Sequence, residues 1–154
     1  MELKQDGYTV SDDPKLLNVQ SIHDFLAHQS YWATDRTFDA VAETLRNSLC
    51  FGLYFEGEQI GFARVITDYV AFAYLCDVYV LEEYRNRKRG QFLMECVLRH
   101  PRLYSVKWIL KTTYAQSFYR RLGFEDFPCS TGWMQRGTCC DGEQRDDNIK
   151  KGEA

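Results

Sequence analysis

Residues 77–90 read DVYVLEEYRNRKRG, and the fold follows from how this stretch changes character. Val78, Tyr79, Val80 and Leu81 continue an apolar run begun by Leu75 and Cys76, as a buried strand does. The chain then turns polar, with cations at Arg85, Arg87, Lys88 and Arg89. After Gly90, apolar positions recur at helical spacing (Leu93, Cys96, Val97, then His100) until Pro101 stops them. A buried strand, a basic turn and a helix N-terminus together suit a phosphorylated ligand. The first helical turn has main-chain N–H groups without intrahelical partners, and the helix dipole adds partial positive charge there. The candidates for holding such a ligand are Arg85, Asn86, Arg87, Lys88, Arg89, Gly90 and Gln91.

Upstream, residues 7–11 read as a first strand. Asp13 offers an N-cap with Pro14 at the first helical position, and Leu16, Val19, Ile22 and Leu26 mark one helical face. The aromatic and charged segment QSYWATDR (29–36) interrupts that face, and a second helix starts at Thr37. From Leu49 the period is that of strands. LCFGLYF, a turn at Glu56, Gly57 and Glu58, and QIGFARVIT form an antiparallel hairpin. AFAYLCDVYVL then runs into the basic turn.

Beyond the helix of residues 90–100, KWILK (107–111) is a short strand. Residues 114–122 form a helix with Ala115, Phe118, Tyr119 and Leu122 on one face and Gly123 as its left-handed cap. Residues 124–127 and 132–136 supply two last strands. The order βααβββαβαββ gives a mixed α/β fold of the α+β type, with helices covering a largely antiparallel sheet. One domain is expected over residues 1–137, followed by a polar, mobile tail at 138–154.

The net charge of −3 argues against nucleic-acid or anionic-membrane binding, so the four clustered cations are a local feature. No apolar run reaches membrane-spanning length and MELKQDGYTV has no signal-peptide core, which points to a soluble, cytoplasmic protein. Cys50, Cys76 and Cys96 sit in apolar patterns, while Cys129, Cys139 and Cys140 lack C-x-x-C spacing and lie away from the three histidines. Reduced thiols are expected, and no metal site.

Val80, Arg85 and Gly90 fall in the register V-x-x-x-x-[QR]-x-x-G-x-[GA], and the segment 117–124, SFYRRLGF, matches [FL]-Y-x-x-x-G-F. With the element order of residues 7–136, the chain resembles the GNAT superfamily of acyl-CoA N-acyltransferases. It departs from the pattern at Lys88, which stands where the family has its first glycine, and at Asn86, often glycine in relatives.

The resemblance implies acetyl-CoA as co-substrate and direct transfer of its acetyl group to a primary amine of a small molecule or peptide. It places the acyl group against the main chain of Val78, Tyr79 and Val80, and the diphosphate on residues 85–91. Tyr119 maps onto the family's proton donor to the leaving thiolate, and a phenol titrating at about 10 is protonated at neutral pH. Asp77, a carboxylate inside an apolar strand, is either the general base acting through water or an ion partner of Arg64; Asp68 and Glu82 are weaker base candidates. Tyr31, Trp32 and Arg36 line the acceptor cleft, with Arg36 able to clamp a carboxylate and Trp32 able to stack on a ring or shield an amine. The alternative is a CoA-binding module without turnover, suggested by the replacements at residues 86 and 88. A monomer or a homodimer fits either reading.

Overall fold

The computed structural model describes residues 1–85 and 88–127. Its elements are β1 (Glu2–Gln5), β2 (Tyr8–Ser11), α1 (Val19–His28), α2 (Phe38–Arg46), β3 (Leu49–Phe55), β4 (Glu58–Thr67), β5 (Phe72–Val80), α3 (Arg89–Leu98), β6 (Lys107–Leu110) and α4 (Gln116–Arg121). The six strands form one sheet in sequence order, antiparallel except for the parallel pair β5–β6.

Asp6 and Gly7 lie between strands whose end residues Gln5 and Tyr8 pair directly, so two residues make the turn. Both have positive φ (50° and 81°), the conformation that Asp-Gly adopts most readily. The expected first strand is therefore the second arm of a hairpin. Its partner β1 is exposed throughout, so no apolar alternation announced it. Glu56 (φ 50°) and Gly57 (φ 86°) close the β3–β4 hairpin in the same way, with Phe55 opposite Glu58.

Asp13 does cap a turn, but only the single 3-10 turn Pro14–Leu16. The helix itself begins at Val19, where the side chain of Asn18 accepts from the Ser21 N–H, and Leu16 stays exposed. Ten residues containing Val, Ser, Ile and Asp are marginal as an isolated helix, so packing holds α1. Burial of Ile22, Phe25 and Leu26 supplies about 5–9 kcal/mol together. Thr37 caps α2 by accepting from the Ala40 N–H. These two helices cover one sheet face, over Cys50, Phe62 and Tyr79. Leu93, Met94, Cys96 and Val97 of α3 close the other face against Val10, Phe51, Leu53, Val65 and Leu75.

Gly123 is left-handed (φ 89°) behind α4, as its position after Leu122 suggested. Residues 124–127 belong to no strand of the described sheet, so the first of the two last strands is not seen there; 132–136, the tail and the last three cysteines lie outside the described residues. Among those described, no helix is long and apolar enough to cross a membrane, and no three metal-ligating side chains gather.

Candidate functional site

The site begins with a fault in the β4–β5 ladder. Phe62 pairs with Tyr79 and Arg64 with Cys76, so Ala63 alone faces both Asp77 and Val78. Asp77 takes the extra place in a left-handed conformation (φ 51°) that aspartate tolerates better than most residues. On the other side, pairing of β5 with β6 stops at Leu75 and Leu110. Among the described residues, that edge of β5 has no strand partner from Cys76 to Val80, and the two strands part into an opening.

A cleft of about 480 Å³ occupies the opening. Val78, Tyr79, Val80, Arg85 and Gly90 form its floor; Phe25, Gln29, Tyr31 and Trp32 line one wall, and Ala115, Phe118 and Tyr119 the other. Phe25 lies flat on Tyr79, with ring centroids 3.7 Å apart. Burial, with Tyr54 nearby, moves the Tyr79 phenol's pKa upward. Tyr119 packs edge-on to Phe118 and Phe124, and burial, with Tyr31 close by, pushes its pKa up to about 12. Tyr119 therefore keeps its proton across the physiological range.

Behind this wall stands a buried charge cluster. Asp77 Oδ2 accepts from Arg64 Nε at 2.7 Å and from Arg36 Nη1 at 2.8 Å, while Oδ1 accepts from the Trp32 indole at 3.3 Å. Arg64 also donates to Ser48 Oγ. The Asp77 side chain is 2% exposed and that of Arg64 7%. Burial opposes the charge on Arg64, but Asp77 beside it, together with smaller contributions from Cys76 and Cys50, raises the guanidinium's pKa overall. Of the two roles open to Asp77 in the sequence, the ion pair with Arg64 is present, and Arg36 joins it. Arg36 is thus not a free clamp, and Trp32 is pinned by its indole N–H.

The described residues of the basic turn take distinct side-chain roles. Arg85 Nε donates to the Val80 carbonyl at 2.9 Å, fixing its guanidinium at the cleft mouth. The first bond of α3 runs from Phe92 N to Lys88 O, so helix geometry leaves the N–H groups of residues 89–91 without intrahelical acceptors. Arg89 turns its side chain away: it lies 3.7 Å over the Tyr8 ring and 3.9 Å from Asp6, leaving its main chain to serve the turn. Gln91 is bonded to Glu95. Asn86 and Arg87 lie outside the described residues.

Lys88 is left-handed (φ 59°), which gives the physical reason for glycine in the motif. Lys88→Gly is expected to raise stability by about 1 kcal/mol by removing that strain, a rise of about 2–4 °C in Tm, whereas Lys88→Ala keeps the strain and brings no such gain. Thermal unfolding of the two variants checks this.

Two base candidates lie elsewhere. Asp68, at the far end of the β4–β5 hairpin, accepts from the N–H groups of Val70, Ala71 and Phe72, which lower its pKa. Glu82 sits exposed in the turn Glu82–Tyr84, outside the cleft lining. Phe25, Gln29, Ala115 and Phe118 were not singled out as site residues. Phe25 and Gln29 are one helical turn apart, and Phe118 directly precedes Tyr119, which is the signal that would have found them.

Comparison with known proteins gives concordant results. A family model described as "Acetyltransferase (GNAT) domain" matches residues 46–126. A curated Gibberella zeae protein described as a candidate acetyltransferase is 38% identical over 143 residues, covering 78% of this chain and 80% of its own length. A crystal structure from Xanthomonas campestris pv. campestris, described as a candidate acetyltransferase of the GNAT family, superposes with a TM-score of 0.85 at 38% identity, covering 89% of this chain and 97% of the other. A GNAT-family acetyltransferase from Elizabethkingia anophelis, with acetyl-CoA bound, shares the fold at a TM-score of 0.53 and 16% identity, covering 77% of this chain and 74% of the other.

Proposed function

Because the chain belongs to the GNAT acetyltransferase family, we propose that it moves an acetyl group from acetyl-CoA to a primary amine, directly and with both substrates bound. One observation carries this reading: the unpaired edge of β5, the open amides at the start of α3 and the protonated Tyr119 all meet one cleft.

The residues present fit the cofactor. Arg85 and Gly90 both line the cleft, and the amides of residues 89–91 at the start of α3 have no intrahelical acceptor, a combination that suits a diphosphate. A Cβ built on Gly90 would already touch Phe118 and Val80 at 3.7–3.9 Å, so its absence keeps that approach open. Acetyl-CoA supplies an acyl group activated as a thioester.

Leu81 N bonds to the Ile60 carbonyl and Tyr79 O lies against Gly61, so Tyr79 faces β4 and, by alternation, the main-chain N–H groups of Val78 and Val80 face the free edge, where they can polarise the acyl carbonyl. The amine nitrogen bonds to the acyl carbon as the carbon–sulfur bond breaks, and the Tyr119 hydroxyl gives its proton to the departing sulfur. The proton shed by the amine passes to water, and a proton from water restores the phenol.

Asp77 acts here as a positioning residue and not as the base, since both its oxygens are already engaged. Two guanidiniums and one carboxylate leave a net positive cluster behind an apolar wall. Each feature disfavours an ammonium ion and favours the free amine that attacks. The cytosol, where acetyl-CoA is available, is the compartment this chemistry fits.

Steady thiol release from acetyl-CoA with a panel of amines tests the proposal. Tight CoA binding without any release would make the chain a binding module instead. At residue 88 the lysine adopts the left-handed backbone that glycine takes freely, so that replacement by itself does not alter the backbone there. Arg85→Glu is expected to weaken CoA more than tenfold, about 1.4 kcal/mol, by calorimetry. Unchanged affinity removes the diphosphate assignment.

A further inference from the structure

The acceptor side of the cleft is aromatic and offers no unpaired acid. Tyr31 is 51% exposed and Tyr114 79% exposed, yet their rings meet edge to face at 5.3 Å. One comes from the loop after α1 and the other from the loop after β6; Tyr31 lines the cleft, and Tyr114, which directly precedes the lining residue Ala115, braces it from outside. Tyr31 also stands edge-on to Trp32 at 4.9 Å, and Trp32 is held by Asp77. Among the described residues lining the cleft there is no Asp, Glu, His or Lys, and the one charged side chain, Arg85, sits at the phosphate end.

We propose that the acceptor is a small primary amine carried on an aromatic ring, with the ring held against Tyr31 and Trp32 and the nitrogen directed at the free edge of β5. This rests on the transfer reading above and names its substrate class. A polyamine entering this cleft would desolvate its second ammonium with no carboxylate among the described lining residues to receive it, and Asp77 is already matched by two arginines. An amino sugar would bring several hydroxyls to a wall whose polar groups are the Gln29 carboxamide and phenols. An aromatic ring meets its preferred partners, and each edge or face contact contributes roughly two- to tenfold in binding. A volume of about 480 Å³ accommodates a small amine beside the acyl end of the carrier.

The test compares 2-phenylethylamine with ethylamine, spermidine and glucosamine by thiol release, in the intact chain and in Tyr31→Ala. Tyr31 is exposed, so its truncation leaves the core packed. Expected is a kcat/KM for 2-phenylethylamine at least tenfold above those for spermidine and glucosamine. Its advantage over ethylamine should shrink about tenfold in Tyr31→Ala. Preference for spermidine or glucosamine overturns the aromatic assignment while leaving acetyl transfer intact. If no amine supports release, the transfer reading is the one that fails, and saturation-transfer NMR with 2-phenylethylamine decides the rest. Saturable binding weakened by Tyr31→Ala upholds an aromatic site; no binding removes it.

Discussion

Asp77→Asn is expected to destabilise the protein by about 3–5 kcal/mol, the largest loss foreseen for any single substitution at the site. Asparagine has almost the same shape and tolerates the left-handed backbone at this position, so the change isolates the charge. What it leaves behind decides the size of the effect. Arg64, with a side chain only 7% exposed, loses the partner that makes its buried charge tolerable. Arg36, at 24%, is near enough to solvent to recover part of its hydration. Denaturant unfolding of Asp77→Asn measures the loss. The double variant Asp77→Asn/Arg64→Met should regain most of it, since removing both ions also removes the stranded charge. The variant also separates positioning from proton abstraction. Where it is folded, its pH–rate profile should keep the native shape with a lower plateau; loss of the acidic limb would restore Asp77 as the base.

Tyr119→Phe is expected to lower kcat about 100-fold, at the lower end of what general acid catalysis contributes, with CoA affinity within about threefold of native. The ring packs on Phe118 and Phe124, and phenylalanine preserves that packing, so the loss reports on the hydroxyl alone. Burial pushes this phenol up to about 12, so the proton is in place at every pH below about 10. Native kcat should therefore show no fall on the alkaline side until near that value. Rapid-mix thiol detection checks the rate and calorimetry the affinity. A variant with native turnover would leave the tyrosine a packing role only.

Much of the framework was legible in the order of its elements, because alternation and helical spacing are local properties of the chain. Both SFYRRLGF and the basic turn fell in the expected places, down to Gly123 as a left-handed cap. Less legible was anything set by partners distant in sequence. The segment 29–36 showed Trp32 and Arg36 as candidates for an acceptor wall. That both would be tied to Asp77, more than forty positions away, depends on the bulge that turns this carboxylate toward them. The outward turn of Arg89 was hidden for the same reason: Tyr8, on which it lies, belongs to the N-terminal hairpin. That hairpin did leave a mark in Asp6-Gly7, a pair suited to a two-residue turn. The exposed strand before it contains a single large apolar residue, Leu3, so no apolar alternation accompanies that mark.

Asp77 is also the residue the strand has to spare. With it struck out, Leu75, Cys76, Val78, Tyr79 and Val80 alternate without fault between the α3 layer and the α1–α2 layer, since Leu75, Val78 and Val80 pack in one and Tyr79 in the other. The two hydrophobic layers thus lose nothing to the irregularity. A single supernumerary amino acid separates an uninterrupted ladder from a receptive notch, and its charge fastens the neighbouring loop in place.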